Sequence, residues 1–435
     1  MATPGDVMAD VWSMANEKTF WPHFDPLRIP VAIYDGERTW LFCHPAPPPG
    51  FTRLPGDSAT VVCDGLLSDI RANTAIPIGG VWTACLLRFS EDAEVRDVAS
   101  IVIHEMFHVF QGMRHPDWWA NEGDRCAYPV FDADALALRR LETRLVRRAL
   151  EARGEDGAAR WARRALALRH ARYERMDALA VAYERGIERT EGLAHYVEGL
   201  ARGRAGIQLP NERYAPDEVR GRCYHVGAAW ARLLDRLCDG WAAEFERSTE
   251  APVLDRALSA VLDRIVGLEP APLDERAVES ERSAATRDVA ALTDRYRRLR
   301  ADLFTLAGWR IVVDSGLDNR MRMVGFDPSN LSLVGPTEML HTRYLSVTDS
   351  QGAGMLEVLD GRALTTTAEA GSLLHADILR LEVAGLGGEP EVSREGDAVR
   401  VQARGVTARF TRAAAVMEGD TLRLSLMDSR EGPTV

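Results

Sequence analysis

The chain has almost no lysine. Of its 53 basic residues only Lys18 is a lysine; the others are arginine. Lys18 stands in Asn16-Glu17-Lys18-Thr19 with no glycine loop before it, which excludes a Walker-type phosphate cradle. Schiff-base enzymes and protein-kinase catalysis need a placed lysine, and neither fits. The arginine bias itself reads as a GC-rich bacterial genome. CxxC spacing is also missing among Cys43, Cys63, Cys85, Cys126, Cys223 and Cys238, which excludes a zinc ribbon or dithiol redox motif. No apolar run approaches the ~18 residues of a membrane span. The opening Met1 to Asp6 lacks the basic and apolar regions of a signal peptide, so a cytoplasmic chain with reduced cysteines is expected. A positive excess is absent too: the net charge is −12, which disfavours nucleic acid and anionic membranes as partners.

What is present is ordinary globular material. The 435 residues are 46% hydrophobic and 27% charged, enough for two or three domains with full cores. Residues 1–90 read mostly as strand and turn, with a hairpin at Asp35-Gly36 between Ile29–Tyr34 and Thr39–Cys43. A helix is expected from about Glu91 to Gln111, capped by Ser90, with Glu91, Asp92 and Glu94 in its first turn. Gly112 and Pro116 would stop it. Its middle is apolar nearly all round, which places it inside the protein. Residues 132–200 and 217–302 read as helical, with breaks near Gly154, Gly240, Pro252 and Pro270. Short strands between Gly, Asp and Asn turns follow from about residue 305. The expected segments are therefore 1–130, 131–304 and 305–435.

Inside the apolar helix lies His104-Glu105-Met106-Phe107-His108. Positions i and i+4 share a helix face, so both imidazoles can reach one metal. Glu105 follows His104 directly and can take a proton from a water activated by that metal. HExxH also arises by chance. Burying two histidines and a glutamate without partners, however, costs several kcal/mol. One Zn2+ per chain is the simplest partner for all three, and it needs a third ligand. Position 114 is Arg114, which excludes the compact three-histidine pattern. The best candidate lies in Glu191-Gly192-Leu193-Ala194-His195-Tyr196-Val197-Glu198, where Glu191 and His195 are i, i+4 on a helix and 82 residues separate His108 from Glu191. His195, four residues on, is the competing ligand or a supporting group, and Glu198 lies a turn later.

These runs resemble the gluzincin metallopeptidases, and within them the aminopeptidase N-like branch. There the third ligand opens an EGFAxYVE run, and a tyrosine that steadies the oxyanion opens a YxxGA run. Tyr224-His225-Val226-Gly227-Ala228 has the second shape, in the same order along the chain. The resemblance spans roughly residues 60–240 through three short motifs. It implies His104, His108 and Glu191 as zinc ligands, Glu105 as general base and Tyr224 as transition-state donor. His225 is the neighbour that could do the same work. The chain departs from that branch in its long helical insertion at about 130–188 and in lacking the GAMEN run that holds a substrate's free amine. Gly79-Gly80-Val81-Trp82-Thr83 is the candidate substrate-side edge.

The expected architecture is α+β. A zincin-like catalytic core (N-terminal β-sheet, HExxH helix, mainly helical second half) precedes a β-rich C-terminal domain. The expected activity is zinc-dependent hydrolysis of peptide bonds in a peptide or protein substrate. A zinc hydrolase of another amide or an ester, and a zinc-containing binding protein with a peptidase-like core, are the alternatives. Asn121-Glu122-Gly123-Asp124 reads as a surface turn, Trp118 and Trp119 as cover for a core edge, and Cys223 as a small buried residue. His170, His341 and His375 read as structural or exposed. Ser58 lacks a nucleophile elbow, and 273–302 reads as a solvated helix face.

Overall fold

The computed structural model describes residues 3–428 apart from 55, 71, 88–92, 204–208, 210–212, 249, 328–329, 336, 370–375 and 397. Ser90, Glu91, Asp92, His375 and the side chain of Ser58 lie outside the described residues. Helix and sheet are mixed, and the chain divides into two compact units. The first takes residues 1–120, 137–175 and 182–281, and the second 121–136, 176–181 and 282–435.

The first unit opens with a helix, α1 (Pro4–Glu17), where strand and turn were expected. Its start is well specified. Thr3 accepts from the Asp6 N–H at 3.2 Å, while its own N–H donates to the Asp6 carboxylate at 2.9 Å, and Pro4 supplies a preset φ. Val7, Met8, Val11 and Met14 form its buried stripe.

Six strands follow: β1 (Val31–Tyr34), β2 (Arg38–Phe42), β3 (Thr52–Leu54), β4 (Asp57–Asp64), β5 (Thr74–Ile78) and β6 (Val81–Leu86). Asp35-Gly36 turns β1 into β2 as expected, with Tyr34 opposite Thr39. The sheet order is β3-β4-β2-β1-β6-β5, and only β1 and β6 run parallel. The expected substrate-side edge at Gly79–Thr83 is therefore misplaced by one strand. Gly79 and Gly80 form the turn, β6 is interior, and Thr74–Ile78 is the edge.

Helix α2 (Val95–Arg114) packs on this sheet. It continues through Gly112 because the His115 N–H still bonds the Gln111 carbonyl; Pro116 is what ends it. Its residues Val98 to Gln111, Ile101 excepted, are buried. Trp21 and Phe24 meet Phe107 edge-on, at 5.7 and 5.2 Å between ring centres. The remaining helices are α3 (Ala133–Glu151), α4 (Gly154–Tyr173), α5 (Ala178–Ile187), α6 (Leu193–Arg202), α7 (Arg220–Leu237), α8 (Trp241–Glu246), α9 (Leu254–Asp263) and α10 (Glu275–Thr305). Between α5 and α6 the backbone widens into a π turn, Glu188–Gly192. Lys18 donates to the Leu200 carbonyl of α6.

The second unit holds a thirteen-stranded, largely antiparallel sheet between Trp309 and Leu426. The helical stretch 131–304 is not a body of its own. Leu292, Tyr296 and Leu303 of α10 bury against Val334, Leu340 and Leu364, so this end of the helix belongs with the sheet. His341 is buried there, its Nε2 3.1 Å from the Thr365 hydroxyl.

Candidate metal centre

Four segments of the first unit converge. Helix α2 brings His104, Glu105 and His108; the π turn brings Glu191; α6 and α7 flank them. The two Nε2 atoms of His104 and His108 face each other at 3.1 Å. Glu191 Oε2 lies 3.1 Å from His108 Nε2 and 3.6 Å from His104 Nε2. All three residues are buried, and the group could hold a metal ion.

The surrounding hydrogen bonds decide where the imidazole protons are. His104 Nδ1 is 3.2 Å from Glu198 Oε2, a carboxylate that can only accept, so Nδ1 donates. The side-chain amide of Gln111 gives its N–H groups to the carbonyls of Arg189 and Thr190, at 3.3 and 3.1 Å. Its oxygen is thereby turned to His108 Nδ1 at 2.9 Å, which must donate to it. Both Nε2 atoms are then bare lone pairs, aimed at each other and at a carboxylate oxygen. Three acceptors with no proton between them repel unless a cation sits among them. A tetrahedral metal at about 2.0–2.1 Å spaces its ligand atoms roughly 3.3 Å apart, which matches the observed triangle. Without a metal the same demand falls on a proton. Burial opposes charge on His104, but Glu191 and Glu198 outweigh it and push the imidazole up to about 10.

A second His/His/Glu grouping, His104, His195 and Glu198, behaves differently. His195 Nδ1 lies 3.1 Å from the same Glu198 Oε2 that receives His104, and Arg202 Nη2 lies 3.1 Å from Oε1. Two imidazole N–H groups and a guanidinium satisfy that carboxylate without an ion. Burial resists its ionisation, yet His104 and His195 hold it well below the usual carboxylate range. His195 thus shares the Glu198 carboxylate with His104 and lies outside the His104–His108–Glu191 triangle.

Arg220 Nη2 donates to Glu191 Oε1 at 2.8 Å, leaving Oε2 to the triangle. Its Nη1 donates to the Tyr224 hydroxyl at 2.5 Å. The Tyr224 ring stacks on His104, 6.2 Å between centres and 14° between planes. Burial and the Glu191 carboxylate both raise the phenol, so it stays protonated. His225 meets His195 edge-on at 4.9 Å, and burial lowers it to about 4, leaving it neutral. Glu105 is buried, its side chain makes no hydrogen bond among the described residues, and burial raises its carboxyl.

Two short-contact glycines explain the spacing of the segments. A Cβ on Gly192 would lie 2.7 Å from the Gly227 Cα, and one on Gly227 would lie 2.9 Å from the Gly192 Cα and run into the Glu188 carbonyl. The π turn and α7 therefore cross in direct backbone contact, which only glycine at both positions permits.

Sequence reasoning brought His104, His108, Glu191, Glu105, Tyr224 and His225 together; the structure gathers the first five around the triangle and sets His225 against His195. It missed Gln111 and Arg220. Both carried a readable signal: Gln111 is three residues after His108 on one helix, and Arg220 is four before Tyr224 on another. Trp119 lies 5.8 Å from His108, ring to ring, and is half-exposed beside the site. Comparison of the chain with protein families, curated proteins and solved structures gives no match.

Proposed function

We propose that the chain is a zinc-dependent hydrolase acting on peptide bonds. The observation that carries this reading is the convergence of His104 Nε2, His108 Nε2 and Glu191 Oε2, with the Nδ1 side of each imidazole committed to Glu198 or Gln111. Two imidazoles and one carboxylate are the donor set of a catalytic zinc with three protein ligands and an open fourth position. Zinc held there supplies Lewis acidity, polarising a carbonyl and making a water acidic near neutral pH.

The chain's own groups supply the rest. Glu198 and Gln111 keep both imidazoles in the Nδ1–H tautomer, and Arg220 holds Glu191 by the oxygen that the metal does not use. Glu105 is the proton carrier. Burial raises its carboxyl towards the operating range of a general base, and no other described group competes for its lone pairs. Tyr224, kept protonated and backed by Arg220, is the donor for charge developing on the carbonyl oxygen. A binding protein with a purely structural metal would not need a free carboxylate beside the ligands. The choice of a peptide over another amide or an ester rests on the resemblance of the three motif runs.

Zinc-loaded chain is incubated with a peptide mixture and new termini are read by mass spectrometry, wild type beside Glu105→Gln. The expected result is cleavage by wild type and a loss of about 10²–10⁴-fold in Glu105→Gln with zinc retained. Equal turnover by the two would contradict the mechanism. Turnover of ester or non-peptide amide substrates alone would move the reading to those hydrolases.

A further inference from the structure

A large buried charge cluster, among the described residues, includes Glu188 of the ligand-bearing turn. Arg169 and Arg172 of α4, Arg222 of α7, Glu142 of α3, Glu184 of α5 and Glu188 of the π turn are all buried, three positive against three negative. Arg169 grips Glu188 with both Nη atoms, at 2.7 and 2.5 Å, and reaches Glu142 at 2.8 Å. Arg172 joins Glu142 and Glu184 at 2.7 and 2.6 Å. Arg222, two residues before Tyr224, joins the same two carboxylates at 2.7 and 3.0 Å. Replacing such a set by apolar side chains of similar volume is often neutral or stabilising, so stability alone does not account for it.

Its position offers an account. A π turn holds one more residue than the α-helical turn it replaces, and is rarely adopted without a reason. If the extra residue were lost, side chains beyond it would rotate by roughly 100° against α5, and Glu191 would leave the triangle. Gln111 holds this turn from the α2 side, through the Arg189 and Thr190 carbonyls. On the other side Glu184 and Glu188, one turn apart, are held by the three arginines.

We propose that the six-charge network is the positioning device for Glu191. The helical insertion, α3 and α4, supplies Glu142, Arg169 and Arg172, and thereby fixes the wide turn that presents the third ligand. Arg222 carries the same constraint into the helix that bears Arg220 and Tyr224. These are positioning residues; none touches the metal group itself. The inference rests on the metal reading above.

The test is zinc affinity, together with the visible spectrum of the Co2+-substituted chain, which reports ligand geometry. Burial raises the Glu188 carboxyl to about 7 against the pull of Arg169, so binding is measured at about pH 8.5, where it is ionised. Glu188→Gln is compared with Glu281→Gln, which removes another buried carboxylate, one paired with Arg140 and Arg144. The expected result is a loss of zinc affinity of about tenfold or more and an altered Co2+ spectrum in Glu188→Gln, with both unchanged in Glu281→Gln. Wild-type affinity and spectrum in folded Glu188→Gln would overturn the proposal, as would equal losses in the two variants. Should Glu188→Gln not fold, the paired replacement Arg169→Met/Glu188→Met, which removes both charges together, is read by the same two criteria. Failure of the wild-type chain to take up any metal is a separate result, and it overturns the metal reading itself.

Discussion

Two buried polar clusters lie a helical turn apart in this protein, and they solve the same problem in opposite ways. In the six-charge network every carboxylate meets at least one guanidinium; the arginines outweigh burial at Glu142 and Glu184 and hold both below the usual carboxylate range, while at Glu188 burial prevails. The His104–His108–Glu191 triangle is incomplete by construction, since its outer hydrogen bonds spend both imidazole protons on Glu198 and Gln111 and leave three lone pairs converging on one point. Burial makes each arrangement expensive to leave unsatisfied. A closed set of charges holds helices in place. An open set of acceptors calls for a cation. The contrast separates scaffold from site more sharply than burial or charge count alone.

The comparison can be broken from the closed side first. Arg222→Ala removes a guanidinium that serves Glu142 and Glu184 and leaves two carboxylates short of partners. A destabilisation of about 3–5 kcal/mol is expected, measured by urea unfolding of the metal-free chain. A change below 1 kcal/mol, on the order of a surface substitution, would show that the network is not closed as described. A smaller effect is expected on the open side. Gln111→Ala removes the acceptor that fixes the His108 tautomer, and frees the Arg189 and Thr190 carbonyls. Zinc affinity should fall by about tenfold, and the metal-free chain should lose about 1–3 kcal/mol through the polar groups left unpaired. Unchanged affinity would mean that the tautomer of His108 is set by something else.

Much of the site was legible in the sequence because its signals are local. HExxH sets His104 and His108 side by side by helical spacing; that the glycines of the two later runs, Gly192 and Gly227, stand where the π turn and α7 cross in direct contact was not read from the sequence. Gln111 and Arg220 were equally readable at helical spacing and were passed over. The network was not legible. Its six members come from five segments, and arginines in Ala- and Leu-rich helices such as α4 look like solvent-facing residues until the partners are known. The π turn has no sequence signature at all. In the fold, the missed helix α1 carried its own capping signal at Thr3 and Asp6. The misplaced sheet edge reflects non-local pairing, since nothing within Gly79–Thr83 says that β6 lies against β1. The division of 131–304 between two units is likewise decided by long-range contacts, those of Leu292, Tyr296 and Leu303.

The central claim is that the triangle holds one metal ion through Glu191. The most direct measurement is zinc bound per purified chain at equilibrium, for wild type and Glu191→Ala side by side after remetallation. The account predicts close to one zinc per wild-type chain and a clear loss in Glu191→Ala. Full occupancy in both, or none in either, would contradict it.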